Sequence, residues 1–274
     1  MNTFLFIIIA CAVAAYLVMF SCLAFTPGKF LYQPRWESLS RLEARASLSG
    51  FSAWKNEKNE LIGWKRENNQ AECSYLILPG RFGMTLDRTY FVPLLEKFHN
   101  GKANTYLLEY PGFGARKGKP HEKTITAAAL ESANLLKQNN LPIFIIGESL
   151  GAAVGAQICA HFPDNIAGLL MVAPFDTLGD AAFYHYPLFP IKSLIVERYD
   201  SYLALAKYRG HVFFLLAGND VTSPPILGKR LYEKYDGIKK LHIVPDIDHD
   251  GFDFSPNTEY WHTALDFLHH PTRP

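Results

Sequence analysis

The chain has 274 residues, 49% of them hydrophobic, and a formal charge of +1 from 27 basic and 26 acidic side chains. That length and composition fit one large globular domain with a short appendage. Near-neutral charge excludes the basic footprint of a nucleic-acid binder, and the four cysteines (Cys11, Cys22, Cys73, Cys159) form neither a disulfide framework nor a CxxC metal motif.

The N-terminus opens on Phe4–Phe25, FLFIIIACAVAAYLVMFSCLAF, with no charge. As a helix these 22 residues span ~33 Å, enough for a bilayer core. A cleaved signal peptide is the rival reading, but it calls for a basic start and a shorter apolar stretch, and MNT supplies no basic side chain. A core helix would carry a polar face, which this segment lacks. The expectation is a single-pass anchor over residues 1–26. Lys29, Arg35, Arg41 and Arg45 follow it. By the positive-inside rule they favour a cytoplasmic domain, although the sequence leaves the side open.

Residues 27–50 read as a linker with a short amphipathic helix lying against the membrane or the domain. Phe51–Trp54 and Leu61–Trp64 flank KNEKNE and predict a hairpin. From there strands and helices alternate. Strands are predicted at Cys73–Leu78, Thr105–Glu109, Ile143–Ile146, Leu169–Ala173, Val212–Ala217 and Leu241–Val244. Helices are predicted at Asp87–Phe98, bent by Pro93, and at Thr126–Lys137, Leu150–His161, Ile226–Tyr235 and Trp261–His269. Such alternation implies an α/β fold with a mostly parallel central sheet and helices on both faces. Residues 175–208, rich in Tyr, Phe and Pro, break the rhythm and read as a small cap inserted into the domain at 51–274.

The motif that carries chemistry is Gly147-Glu148-Ser149-Leu150-Gly151. It follows PIFII directly and opens LGAAVGAQICAHF, which is the strand–turn–helix context of a nucleophile elbow. The bland alternative is a tight turn with an idle serine. A nucleophilic serine needs a base, and the base needs a carboxylate. At such an elbow the acid and then the histidine follow along the chain. Asp220 lies just past Val212–Ala217 and His249 just past Leu241–Val244, at the sheet edge where Ser149 sits. Asp176 is the rival acid. His242, inside a strand run, reads as a packed or exposed strand residue. An oxyanion hole needs the backbone N–H of Leu150 and a second donor from Pro79-Gly80-Arg81-Phe82-Gly83, with Arg81 as the choice. The run Asp246–Gly251 has only the first half of a calcium-loop pattern, with Asn257 where a bidentate acid belongs. No cofactor and no metal are expected.

On the runs LIGW, LILPG, LEYPGFGARKGKP, IIGESLG, LLAGNDVTSPP and DIDHDGF, nearly all of residues 51–270 resembles the α/β-hydrolase superfamily. The likeness is to the membrane-anchored alpha/beta hydrolase domain serine hydrolases. The resemblance implies Ser149, Asp220 and His249 as the triad. One departure is Pro79-Gly80, where such proteins usually carry His-Gly. The expected activity is cleavage of a carboxylic ester or thioester through an acyl-enzyme. The apolar cap residues (Phe175, Phe183, Tyr184, Tyr186, Leu188, Phe189, Ile191, Leu194 and Ile195) favour a small-molecule substrate with an acyl chain. A peptidase or amidase using the same triad, or a silent membrane-anchored scaffold, are the alternatives. The sequence leaves the natural substrate and the oligomeric state open.

Overall fold

The computed structural model of the chain describes residues 3–25, 28 and 31–270. Pro27 and Lys29, in the expected linker, lie outside the described residues. Eight strands form the central sheet: β1 (Ser52–Lys55), β2 (Leu61–Arg66), β3 (Cys73–Leu78), β4 (Ala103–Leu108), β5 (Ile143–Glu148), β6 (Ile166–Val172), β7 (His211–Ala217) and β8 (Ile238–Val244). Their order across the sheet is β1-β2-β4-β3-β5-β6-β7-β8. The first two pairings are antiparallel and the other five parallel. The predicted hairpin is β1–β2.

Alternate residues of the central strands feed two cores. On one side Ile143 and Ile145 meet helices α4 (Glu122–Lys137), α5 (Leu150–His161) and α9 (Pro225–Lys234) through Ala129, Ala152 and Leu227. On the other, Phe144 and Ile146 meet α2 (Leu39–Leu48), α3 (Phe91–His99) and α10 (Glu259–His269) through Leu42, Leu94 and Leu265. A strand covered on both faces is apolar at every position, which is why PIFII reads as an unbroken run.

Two expectations are refined. The predicted helix at Asp87–Phe98 divides into a 3₁₀ turn, Thr85–Arg88, and α3. Pro93 is the third residue of α3. There its missing N–H has no intrahelical partner to lose, so it sits in the helix without breaking it. The short helix after the linker, α2, lies against the domain, with Leu42 and Ala46 buried. Between β6 and β7 come three short helices, α6 (Leu178–His185), α7 (Ile191–Leu194) and α8 (Ser201–Leu205). The N-terminal helix α1 (Thr3–Phe25) is long and apolar enough to cross a membrane. It touches the region of α6 and α7, where Tyr16 stacks on Phe189 at 4.7 Å between ring centroids.

Candidate active site

Ser149 sits in the turn from β5 into α5, with φ +52° and ψ −111°. A side chain rarely tolerates that backbone region, and strain of this kind concentrates at functional turns. The flanking glycines make the turn possible. A Cβ on Gly147 would come within 2.4 Å of the Gly151 carbonyl oxygen, and one on Gly151 within 2.2 Å of the Leu78 oxygen. Gly155, one turn on, lets α5 press against Leu169 and Ile145. The Ser149 N–H donates to the Val172 carbonyl at 2.8 Å, which ties the turn to β6.

Asp220 follows β7 and is buried. Its Oδ1 accepts the backbone N–H groups of Thr222 at 2.8 Å and Ser223 at 2.7 Å. Its Oδ2 lies 2.6 Å from His249 Nδ1, in the loop after β8. The Nδ1–H group therefore donates a hydrogen bond to the carboxylate, and Nε2 is left as the acceptor. Burial pushes the His249 pKa down. The Asp220 hydrogen bond and charge, with Asp250 and Glu148 adding to them, outweigh burial and set it above the ordinary imidazole value. Ser149 and His249 line one cavity of about 450 Å³, together with Gly80, Arg81, Arg88, Tyr90 and Glu148.

The competing residues are occupied elsewhere. Asp176 is fully buried, pairs with Arg230, and accepts from Tyr202 Oη at 3.0 Å and its neighbour Thr177 N at 2.7 Å. His242 lies within β8, half-buried near Tyr260. Among the described residues, the aspartates of Asp246–Gly251 do not gather into a cation-binding group. Leu150 begins α5, so its N–H belongs to the unpaired first turn of that helix. The Pro79–Arg81 turn passes beside the nucleophile: a Cβ on Gly80 would stand 3.6 Å from Ser149 Cβ. The Arg81 carbonyl oxygen accepts from Gln33 N at 2.9 Å.

Sequence reasoning missed the group behind the nucleophile. Glu148 forms a 2.9 Å ion pair with Arg88 and accepts from the Tyr90 hydroxyl. Both partners precede Glu148 by about sixty residues, and only the glutamate inside the motif hinted at them. A second cavity, about 260 Å³, also reaches Ser149 and runs beneath α6 and α7. Phe175, Leu178, Ala181, Ala182, Ile191 and Ile195 supply its apolar wall. Phe183 is instead exposed on the outside of the roof.

No protein-family model matches the chain. It is 29% identical over 168 residues to an uncharacterized protein of Mycobacterium tuberculosis, covering 60% of this chain and 59% of that one. It is 28% identical over 187 residues to the alpha/beta hydrolase domain-containing protein WAV2 of Arabidopsis thaliana, covering 61% of each. A further relative, an uncharacterized membrane protein of Saccharomyces cerevisiae, is 24% identical over 76% of this chain and 75% of its own. The chain thus spans about 60% of the length of the first curated relatives it matches. Among solved structures, an esterase of Pyrococcus furiosus superposes with a TM-score of 0.64 at 16% identity, over 86% of this chain and 95% of that one. The monoacylglycerol lipase of Paleococcus ferrophilus gives 0.56 at 16%, over 76% and 98%. The chain has the α/β-hydrolase fold, and it resembles a plant alpha/beta hydrolase domain-containing protein over about three-fifths of its length.

Proposed function

We propose that the chain is a serine hydrolase that cleaves carboxylic esters or thioesters with an apolar acyl group, and that α1 anchors it in a membrane. The observation that carries the reading is a single juxtaposition. A serine held at a strained elbow and an imidazole held by a buried carboxylate open onto one cavity. In this reading Ser149 Oγ attacks the substrate carbonyl carbon, and His249 Nε2 takes its proton. The oxyanion receives hydrogen bonds from the N–H of Leu150 and, from the loop after β3, that of Arg81. Collapse of the intermediate returns the proton from His249 to the leaving oxygen or sulfur, leaving an ester on Ser149. Water then repeats the sequence and frees the acid. The apolar cavity under α6 and α7 suits the acyl chain.

The test is labelling by a fluorophosphonate, followed by a screen of matched esters and amides. Wild-type protein labels at Ser149 and turns over esters faster than amides. Ser149→Ala loses labelling, and its kcat falls by roughly 10⁴–10⁶. Faster amide cleavage moves the assignment to a peptidase. A folded wild-type protein that neither labels nor hydrolyses either series is a scaffold.

A further inference from the structure

The sheet edge opposite Ser149 carries a second group of reactive side chains. Cys73 opens β3 and its thiol is buried. His99 ends α3 and His269 ends α10, both half-buried. Cys73 Sγ lies 3.8 Å from His99 Nε2 and 3.9 Å from its Nδ1. The buried Tyr75 hydroxyl lies 2.9 Å from His99 Nε2 and 2.6 Å from His269 Nε2. One ligand atom from each of Cys73, His99 and His269 falls within 4.8 Å of the others.

A tetrahedral zinc ion with N and S ligands at ~2.0–2.3 Å holds its donor atoms ~3.3–3.8 Å apart, so these side chains need only small shifts to close on one. The electrostatics also suit a cation. Both imidazoles stand at helix C-termini, where the last carbonyls present partial negative charge. Packing alone explains the stacking of Tyr75 on Phe144. It does not call for two imidazoles on one hydroxyl with a thiol beside them.

We propose that Cys73, His99 and His269 bind a borderline-soft divalent cation, zinc foremost, with the Tyr75 hydroxyl in the fourth direction. Binding replaces the Cys73 S–H bond with a sulfur–metal bond and releases the proton to solvent. The ion pins the start of β3 to the ends of α3 and α10. Its role is structural, remote from the Ser149 chemistry.

The test uses the full chain in detergent, stripped by a chelator and titrated with Co²⁺. The expected result is a near-ultraviolet thiolate-to-cobalt band, saturating at one equivalent and bleached by Zn²⁺. Cys73→Ser removes the band, whereas Ser149→Ala keeps it. His269→Gln weakens Co²⁺ binding at least tenfold, and provides a second reading should Cys73→Ser fold poorly. Zn²⁺ also raises the unfolding midpoint of wild-type protein but not of either site variant. Absence of the band in wild-type protein, or its survival in Cys73→Ser, overturns the proposal.

Discussion

Which acid serves His249 comes down to what each carboxylate already holds. Asp220 has one oxygen on two backbone N–H groups and the other on the imidazole, while Asp176 is spent on Arg230 and Tyr202. Asp220→Asn should therefore lower kcat by ~10⁴ while the protein stays folded. Asp176→Asn should keep kcat within about threefold yet cost ~1–3 kcal/mol of stability, because the neutral amide has one acceptor oxygen for Thr177, Tyr202 and Arg230, where the carboxylate has two. Steady-state kinetics and thermal unfolding of both variants separate the two effects, and a kcat collapse confined to Asp176→Asn would reverse the assignment. The pH profile follows with a definite sign. In the proposed mechanism protonated His249 cannot take the serine proton, so kcat/KM should be lost below its pKa and recover as pH rises through it. Since Asp220, Asp250 and Glu148 raise that pKa against the pull of burial, the acid limb should lie above about 6.5. In Asp220→Asn any residual activity should show that limb at lower pH.

The elements were legible in the sequence wherever burial wrote a simple pattern. Strands such as β5 and β7 are apolar on both faces, so IFII and VFFLLA stood out, and the helix α5 followed from its small residues. The ends were less legible: β8 begins at Ile238, three residues before its apolar stretch, because an edge strand admits Lys239 and Lys240. The strand ends also placed Ser149, Asp220 and His249 on one edge by reasoning alone. The Arg88–Glu148–Tyr90 group and the Cys73–His99–His269 group were invisible, since each joins positions whose proximity exists only after the sheet closes. The insertion's aromatic content suggested an apolar roof, but not which residues face inward. The inward wall is Phe175, Leu178, Ala181, Ala182, Ile191 and Ile195, with Phe183 turned out. Each methylene that enters this cavity contributes ~0.8 kcal/mol, so kcat/KM should rise roughly fourfold per carbon while the cavity fills. With p-nitrophenyl esters from two to twelve carbons, Ala182→Trp should abolish that rise and leave acetate unchanged within about twofold. A series that falls steadily from acetate in wild-type protein would remove the acyl-chain reading.

On the scale of the whole molecule, α1 is joined to the roof of the apolar cavity and not simply tethered to the sheet. Tyr16 stacks on Phe189, and its hydroxyl donates to the Leu188 carbonyl oxygen at 3.4 Å. The helix is otherwise exposed and apolar along the window from Thr3 to Ser21, as a bilayer-facing surface would be. Full-length protein should remain with membranes through a carbonate wash, and a chain shortened to begin at Lys29 should not. The shortened chain should still hydrolyse short soluble esters, because every proposed catalytic residue lies beyond position 70. Full-length protein recovered in the wash with its N-terminus intact would remove the anchor.

Ser149 stands where two cavities meet, one apolar beneath α6 and α7 and one more polar, where Arg88, Tyr90, Glu148 and His249 stand beside Phe252 and Phe254. In the proposed reaction this divides the substrate at its waist. The fatty half fills one chamber and stays, covalently held, while the other half departs through the opposite one. The vacated, more polar chamber would then be the route by which the second nucleophile reaches the ester, and an alcohol small enough to enter would compete there with water. The protein would then sort its two products by door, and the ratio of transfer to hydrolysis would be set by what fills the polar side.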